Sequence, residues 1–575
     1  MTLTVSNKEL QYREGLRYLK SGNVEDAQHI LLNLLKGTPN NPVLLEKIGY
    51  CCAVQNKHKE AYSYFSQAVH QDPRHCNSLL NFAIQYIQYQ DTKQSEIVDF
   101  NLPLNACKQC FELCQGGLDQ SLGAARILAG VKNADFLQMC FELSKVYQIH
   151  DIFRCMISGC LSFMDSQFEK AQEYYEIASS HAPGDGLIYT ELAKVFYHLN
   201  QRENALKASF RSVELYNDSA RAWYWHSVLL HNCRLSEEGL AANLKAIDLQ
   251  PNDPYYQVGL GIQYLRLGDW EKGWTLYTHR LNLGNDSTIE YVPPVPKWEN
   301  EPLDEIELIL CCEQGFGDVI QFARFVPLVA TKAKRVLFNC QRKIAHLFEH
   351  FQDIHNVEIV KEGTGFYVNS KAMRWCPLVD IPHKLGVPES EWSKSVPYIY
   401  SGGKQAEKWR NCFNEFGDGK LKVGIAWQGN PLQSVDIGRS IPLQMFQPLS
   451  QIKNVQFVSL QKLHGLDQLE SIDFADKIHV LDNFDNGDDA FADTIHIIQA
   501  LDLIITSDTS IAHLAGALGR PVWLGLKFAP EWRWQFDRED SPWYPTMRLF
   551  RQKKMGDWES VMQSILGNLK HLVDS

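Results

Sequence analysis

The 575-residue chain is 45% hydrophobic and 22% charged, with a formal net charge of −12 at neutral pH. The length exceeds one ordinary core, so two to four globular domains are expected, and the acidic balance excludes a chain-wide nucleic-acid surface. The charged start, MTLTVSNKELQYREGLRYLK, has no signal-peptide core, and no run of 18 uninterrupted apolar residues follows, which predicts a soluble, cytoplasmic protein without a transmembrane segment.

Internal repetition dominates the first half. Gly15 and Gly49, Ala27 and Ala61, and Pro39 and Pro73 are each 34 residues apart. The same spacing links Ala171, Ala205, Gly239 and Gly273, and also Gly159, Ala193, Ser227 and Gly261. Small residues at fixed places let the two helices of a unit approach closely, and proline ends the second; the pattern resembles tetratricopeptide repeats. About seven helix pairs are expected in an α-solenoid over residues 1–285, with an insertion and degenerate repeats between 84 and 158 where the phase slips. Within that stretch Cys107, Cys110 and Cys114 share one helical face. Two readings stand, a metal or cluster site and a core stripe, and the absence of an obvious fourth ligand favours the stripe. The odd total of fifteen cysteines, mostly inside apolar patterns, points to reduced thiols rather than a disulfide framework.

The proline-rich YVPPVPKW closes a connector over 286–300. Beyond it, apolar runs such as RVLFNC, KVGIAW, VQFVSL, LDLIIT and PVWLGL alternate with helical patterns, the mark of parallel-sheet α/β domains. The stretch SGGKQAEKWRNCFNEFGDGK divides this part into two Rossmann-like halves, 301–410 and 411–575, with a ligand expected between them at the carboxyl ends of the strands.

Three turns carry the candidate chemistry. In the first, CCEQGFGDVIQ, a strand runs through Gly315 and Gly317 into a helix. Ile320 occupies the place of the third glycine of a dinucleotide fingerprint, which argues against an NAD-dependent oxidoreductase. Asp318 would repel a phosphate here. It reads either as a helix N-cap or as a carboxylate held ionised by the helix N-terminus, ready to accept a proton. In the second, KVGIAWQGNP, Gly429 and Asn430 form a turn followed by Arg439 in GRSIPL, an arginine suited to neutralising phosphate or simply lying on the surface. In the third, LDLIITSDTSIAHLAG, a strand delivers Asp508, Thr509, Ser510 and Ile511 to a helix mouth whose free N–H groups suit a diphosphate. His513 reads more readily as a packed histidine than as a catalyst.

Taken in order, EQGFGDVIQFARFVPLV, KVGIAWQGNP with GRSIPL, DFADKIHVLDNF, FADTIHIIQALDLIITSDTSIAHLAGALGRPVWLGL and APEWRWQFDREDSPWYPTMRLFRQ resemble the heptosyltransferase-like glycosyltransferase domain of bacterial tetratricopeptide-repeat proteins. The overall layout is also similar to that of protein O-GlcNAc transferases. The resemblance implies a multidomain chain, a repeat solenoid followed by a GT-B fold, and an inverting, metal-independent glycosyltransferase with no cofactor beyond its nucleotide-diphosphate sugar donor. It assigns Asp318 as catalytic base, with Gly315, Gly317 and Gln321 on the acceptor side. Arg439 takes the place of a family lysine. Gly429, Asn430, Asp508, Thr509, Ser510, Ile511 and His513 fall on the donor side, where Ser510 replaces a family glycine.

The resemblance further implies that a last helix, about 557–572, crosses back to brace the first half. No D-x-D triplet is present, and Asp485, Asp488 and Asp489 read as a solvated helix-start loop. Trp532, Arg533, Trp534, Trp543 and Tyr544 read either as a stacking platform for a sugar or base or as interdomain packing. The acceptor, a protein, peptide or glycan, would be recruited by the repeats. The asparagine ladder of O-GlcNAc transferases is absent, its places holding Ile157, Glu191, Trp225 and Gly259. A non-catalytic interaction scaffold is the competing reading.

Overall fold

The computed structural model describes residues 7–91 apart from 21, 100–114, 117–283, 289, 292–363 apart from 314, 371–414 and 419–574. Two compact units divide between Gly259 and Leu260.

Among the described residues sixteen helices run from Asn7–Lys20 to Trp270–Tyr277. Short polar residues start several of them: Asn41 accepts from the N–H groups of Val43 and Leu44, Asp185 from Leu187, and Ser219 from Ala222. The turn inside each helix pair needs one residue with left-handed backbone. Asn56, Ser166, Asn200, Arg234 and Gly268 supply it with φ between 56° and 81°, the last four at the 34-residue spacing. Ala27, Ala61, Ala171 and Ala205 are fully buried where paired helices meet. In the degenerate stretch, helices Leu118–Leu128 and Ala134–Val146 both pack chiefly on Asp151–Met164, so the simple pairing is broken there. Cys107 and Cys110 lie in the core, with Cys107 Sγ 3.8 Å from Cys140 Sγ.

Two paired helices approach closely at Gly159, where a Cβ would stand 2.7 Å from Cζ of the buried Tyr175. Gly159→Ala is therefore expected to destabilise the first unit by about 1–3 kcal/mol through overpacking. Chemical denaturation of the full chain checks this; an unchanged first transition would refute it.

The expected end of the solenoid near residue 285 differs from the observed division. Trp270 and Trp274, on helix Trp270–Tyr277, pack edge-to-face against Trp392, Trp532 and Trp543, with ring centroids 4.9–6.4 Å apart, and the Trp274 indole N–H donates to Val379 O at 3.2 Å. Burial of these rings draws this helix into the second unit.

In the second unit, β1 (Glu307–Cys311), β2 (Arg335–Cys340), β3 (Val357–Lys361) and β4 (Met373–Pro377) form a parallel sheet of order β3-β2-β1-β4. Strands β5 (Leu421–Ala426), β6 (Val455–Ser459), β7 (Ile478–Val480), β8 (Leu503–Ser507), β9 (Val522–Leu526) and β10 (Met547–Arg551) form a second, of order β10-β9-β8-β5-β6-β7, again parallel. Strands buried along their whole length, such as β8, are what sheets covered on both faces require.

The final helix, Trp558–Asp574, corrects one expectation. It buries Trp558, Val561, Met562, Ile565 and Leu569 against Val423, Ile425, Ile441, Leu443 and Phe550. Its apolar stripe is thus spent on the six-stranded sheet and does not brace the four-stranded one. Asp485, expected in a solvated loop, accepts from the N–H groups of Asp493 and Thr494 and from the Thr494 hydroxyl, capping helix Thr494–Ala500.

Candidate functional site

The loop after β1 and the loop after β8 open short helices, Phe316–Phe322 and Ser510–Ala517, and the two helices pack together. They meet at Gly317, where a Cβ would lie 3.0 Å from His513 Cδ2. Any larger residue there would push the turns apart.

Gly315 is the N-cap of the first helix, so Asp318 is its third residue rather than its cap. Its carboxylate pairs with Arg533, from the loop after β9. The Arg533 Nε donates to Gln321 Oε1 at 2.6 Å, and Nη1 lies 2.7 Å from Glu531 Oε1. Asp318 keeps 34% of its side chain exposed, yet protein crowds it on most sides. Crowding pushes its pKa above the ordinary aspartate value, Glu313 and Glu531 push the same way, and Arg533 and Arg280 oppose them. The expectation of a low pKa is therefore corrected: the helix N-terminus does not outweigh desolvation and two neighbouring carboxylates.

Behind the turn sits a buried ionic group. Arg280, 1% exposed, contacts Glu313 Oε2 at 3.1 Å and Asp380 Oδ1 at 2.8 Å. Tyr277 lies under the Arg280 guanidinium, 4.6 Å from ring centroid to Cζ.

On the other sheet, Arg439 lies against the Gly429 turn. A Cβ at Gly429 would stand 2.5 Å from Arg439 Nη2, so only glycine leaves the guanidinium room. Asp436 Oδ1 accepts from Arg439 Nε at 3.2 Å and from Ser440 Oγ at 2.9 Å, and Ser440 Oγ accepts from the Gly429 N–H at 3.1 Å. Asn430 Oδ1 accepts from Leu432 N at 3.0 Å, steadying the turn. Asp508 is buried; burial raises its pKa, against Arg439, Arg533 and Lys527. Thr509 is the N-cap without a side-chain capping bond, and the hydroxyls of Ser507 and Thr509 are buried without a partner. Ser510 and Ile511 open the helix, and their N–H groups are among the orphans of its first turn.

His513 donates to or accepts from Tyr544 Oη at 3.0 Å and stacks on Trp534. Burial first, then Arg533, Arg324 and Arg439, hold its imidazole well below the ordinary value and hence neutral. Trp532, Trp534, Trp543 and Tyr544 are all buried, so of their two readings the packing one describes them. Glu531 has no place in the motif reading, and Arg533 enters it only within the aromatic cluster; its signal is an arginine between two tryptophans, a charge in a segment otherwise built to be buried. Asp436, Arg280 and Asp380 left no comparable trace.

On the solenoid, the ladder positions Ile157 and Glu191 are buried, and Glu191 is committed to Arg221 and to Lys194, the latter at 2.6 Å. Among the described residues no helix is long and apolar enough to cross a membrane.

Residues 12–75 match the tetratricopeptide repeat family model. Protein FlbA of Caulobacter vibrioides is 24% identical over 431 residues, 71% of this chain and 70% of its own length. The human protein O-mannosyl-transferase TMTC3 is 21% identical over 228 residues, 40% of this chain and 22% of its own. The TPR repeat-containing protein MJ1428 of Methanocaldococcus jannaschii is 23% identical over 47% of this chain and 43% of its own length. This chain therefore spans less than half the length of the latter two. Among solved structures, yeast Tom70 is similar at a TM-score of 0.34 and 17% identity, covering 49% of this chain and 62% of that one. Residues 12–75 are thus similar to tetratricopeptide repeats, part of the chain is distantly similar to an O-mannosyl-transferase, and the helical region is followed by a C-terminal region of parallel sheets.

Proposed function

We propose that the second unit is an inverting glycosyltransferase of the GT-B type, moving a sugar from a nucleotide-diphosphate donor to an acceptor recruited by the repeats. Residues 301–410 serve the acceptor and 411–575 the donor. The observation that carries this reading is the meeting of two helix-opening turns from two parallel sheets, Gly317 against His513. One turn bears Asp318; the other bears Asp508 and the unpartnered hydroxyls of Ser507 and Thr509. Ligands of open parallel sheets bind at such carboxyl-end crevices.

The chemistry follows from these groups. Asp318 takes the proton of the acceptor hydroxyl as its oxygen bonds to the anomeric carbon. The bond from that carbon to the diphosphate oxygen breaks on the opposite face, inverting the centre. Charge then gathers on the leaving diphosphate, where the Arg439 guanidinium and the Ser510 and Ile511 N–H groups stabilise it. These protein groups can supply the positive charge a metal would otherwise provide. The Gly315 turn borders the acceptor, the buried Gln321 holds the Arg533 Nε instead, and Asp508 accepts from donor-sugar hydroxyls.

Thermal unfolding with ADP, GDP, UDP, CDP or dTDP in the presence of a chelator tests the reading. One nucleotide at 100 times its dissociation constant should stabilise the protein by about 2.7 kcal/mol. Arg439→Ala should weaken that nucleotide by about tenfold or more, the worth of a charge-assisted hydrogen bond. If no nucleotide binds, the chain is better read as an interaction scaffold whose α/β region has lost its transferase role.

A further inference from the structure

We infer that Arg533 is the positioning residue for Asp318: carried by the six-stranded sheet, it reaches the acceptor turn of the four-stranded sheet and fixes the carboxylate that removes the acceptor proton. The inference rests on the transferase reading of this site and adds a residue to it.

Three contacts fix the guanidinium from different sides. Nη2 bonds Asp318 Oδ1, Nε donates to Gln321 Oε1 at 2.6 Å, and Nη1 meets Glu531 Oε1 at 2.7 Å. Its Cζ lies 4.3 Å from the centroid of the Trp532 ring. Glu531 in turn accepts from the Arg533 backbone N–H at 2.9 Å, and Arg533 O accepts from the Trp543 indole at 3.1 Å. The arginine is therefore held by its backbone, its stem and its fork, with only 8% of its side chain exposed. A buried guanidinium with one face committed to a carboxylate and another to the amide of the same helix acts as a fixed bracket, since Arg533 bonds Asp318 and Gln321 three residues apart.

The bracket has an electrostatic consequence. The charged and titratable groups around Asp318 are Glu313 on the loop after β1, Tyr277 and Arg280 on the segment ahead of β1, and Glu531 and Arg533 on the loop after β9. Glu313 and Glu531 oppose ionisation of Asp318, and Arg533 is the largest charge favouring it. Arg533 also acts electrostatically on Asp508 and His513 of the donor turn. One side chain thus senses both turns, and its guanidinium is the largest charge that favours the ionised base. Removing the guanidinium must raise the pH needed to ionise Asp318.

The test compares wild type, Arg533→Lys and Arg533→Met in three measurements on the full chain. They are the pH profile of turnover of a nucleotide sugar carrying the nucleobase found by the panel, the dissociation constant of the free nucleoside diphosphate, and the Asp318 carboxyl titration by isotope-edited infrared spectroscopy without ligand. Arg533→Met is expected to move the acid limb and the carboxyl titration together to higher pH by about one unit or more, with nucleotide affinity within about threefold of wild type. Arg533→Lys should recover most of the pH shift, and it keeps the inference testable if the methionine variant does not fold. An unmoved carboxyl titration, or a tenfold loss of nucleotide affinity with an unmoved acid limb, overturns the inference and makes Arg533 a packing or phosphate-binding residue. A wild type that turns over no donor overturns the transferase reading alone, because the carboxyl titration still decides whether Arg533 governs Asp318.

Discussion

Asp318→Asn is expected to lower turnover by about 10²–10⁴-fold, the usual worth of a general base, while the dissociation constant of the donor nucleotide stays unchanged. The amide keeps the shape of the carboxylate and can still accept a bond from Arg533, but it cannot take the acceptor proton. Stability should move the other way. Because the folded protein raises the Asp318 pKa above its unfolded value, the ionised carboxylate opposes folding at neutral pH. That penalty is absent below the unfolded aspartate pKa and grows as pH rises through it. The asparagine variant should therefore melt at or above the wild-type temperature at pH 7, and the difference should vanish near pH 3. A variant that loses turnover and melting temperature together would mean that Asp318 is a structural ion-pair partner. Retained turnover would place the base elsewhere.

Arg280→Met is expected to cost about 3–5 kcal/mol, because it removes the guanidinium that two buried carboxylates share. Glu313 and Asp380 are 3% and 0% exposed and face opposite sides of the same guanidinium. The melting temperature of the second unit should fall by roughly 10 °C. Most of the loss is the cost of holding two buried carboxylates without that cation, so the triple variant Arg280→Met, Glu313→Gln, Asp380→Asn should recover a large part of it. Calorimetry of wild type, the single variant and the triple variant decides the matter. A drop of no more than a degree or two in the single variant would show that water reaches the carboxylates. Loss of Arg280 also removes one of the two cations that favour ionised Asp318, so the surviving activity of the single variant should need a higher pH.

The repeats were legible because one residue type serves one mechanical need every 34 residues. Gly159 must be small to pass Tyr175, and Asn200 or Gly268 must reach left-handed backbone to turn the chain. Where that need lapses, between Leu118 and Val146, so does the pattern, and the count of helices there was set by packing on Asp151–Met164 instead. The alternation of apolar runs and glycine turns likewise determined the parallel strands, the turn at Gly429 and the helix-opening turns at Gly315 and Asp508, since strand, turn and helix start are local matters. The misassigned last helix had an ordinary amphipathic stripe, which says that a face is buried but not against what.

Only the tertiary structure decided which turns meet and what each carboxylate feels. The pairing of Asp318 with Arg533 joins residues on different sheets, and the buried set of Arg280, Glu313 and Asp380 joins three separated segments. A helix N-terminus read in isolation argues for a low Asp318 pKa; burial and two further carboxylates reverse the sign. Charge interactions and desolvation depend on distance and on the surrounding medium, and neither is written in the order of residues along the chain.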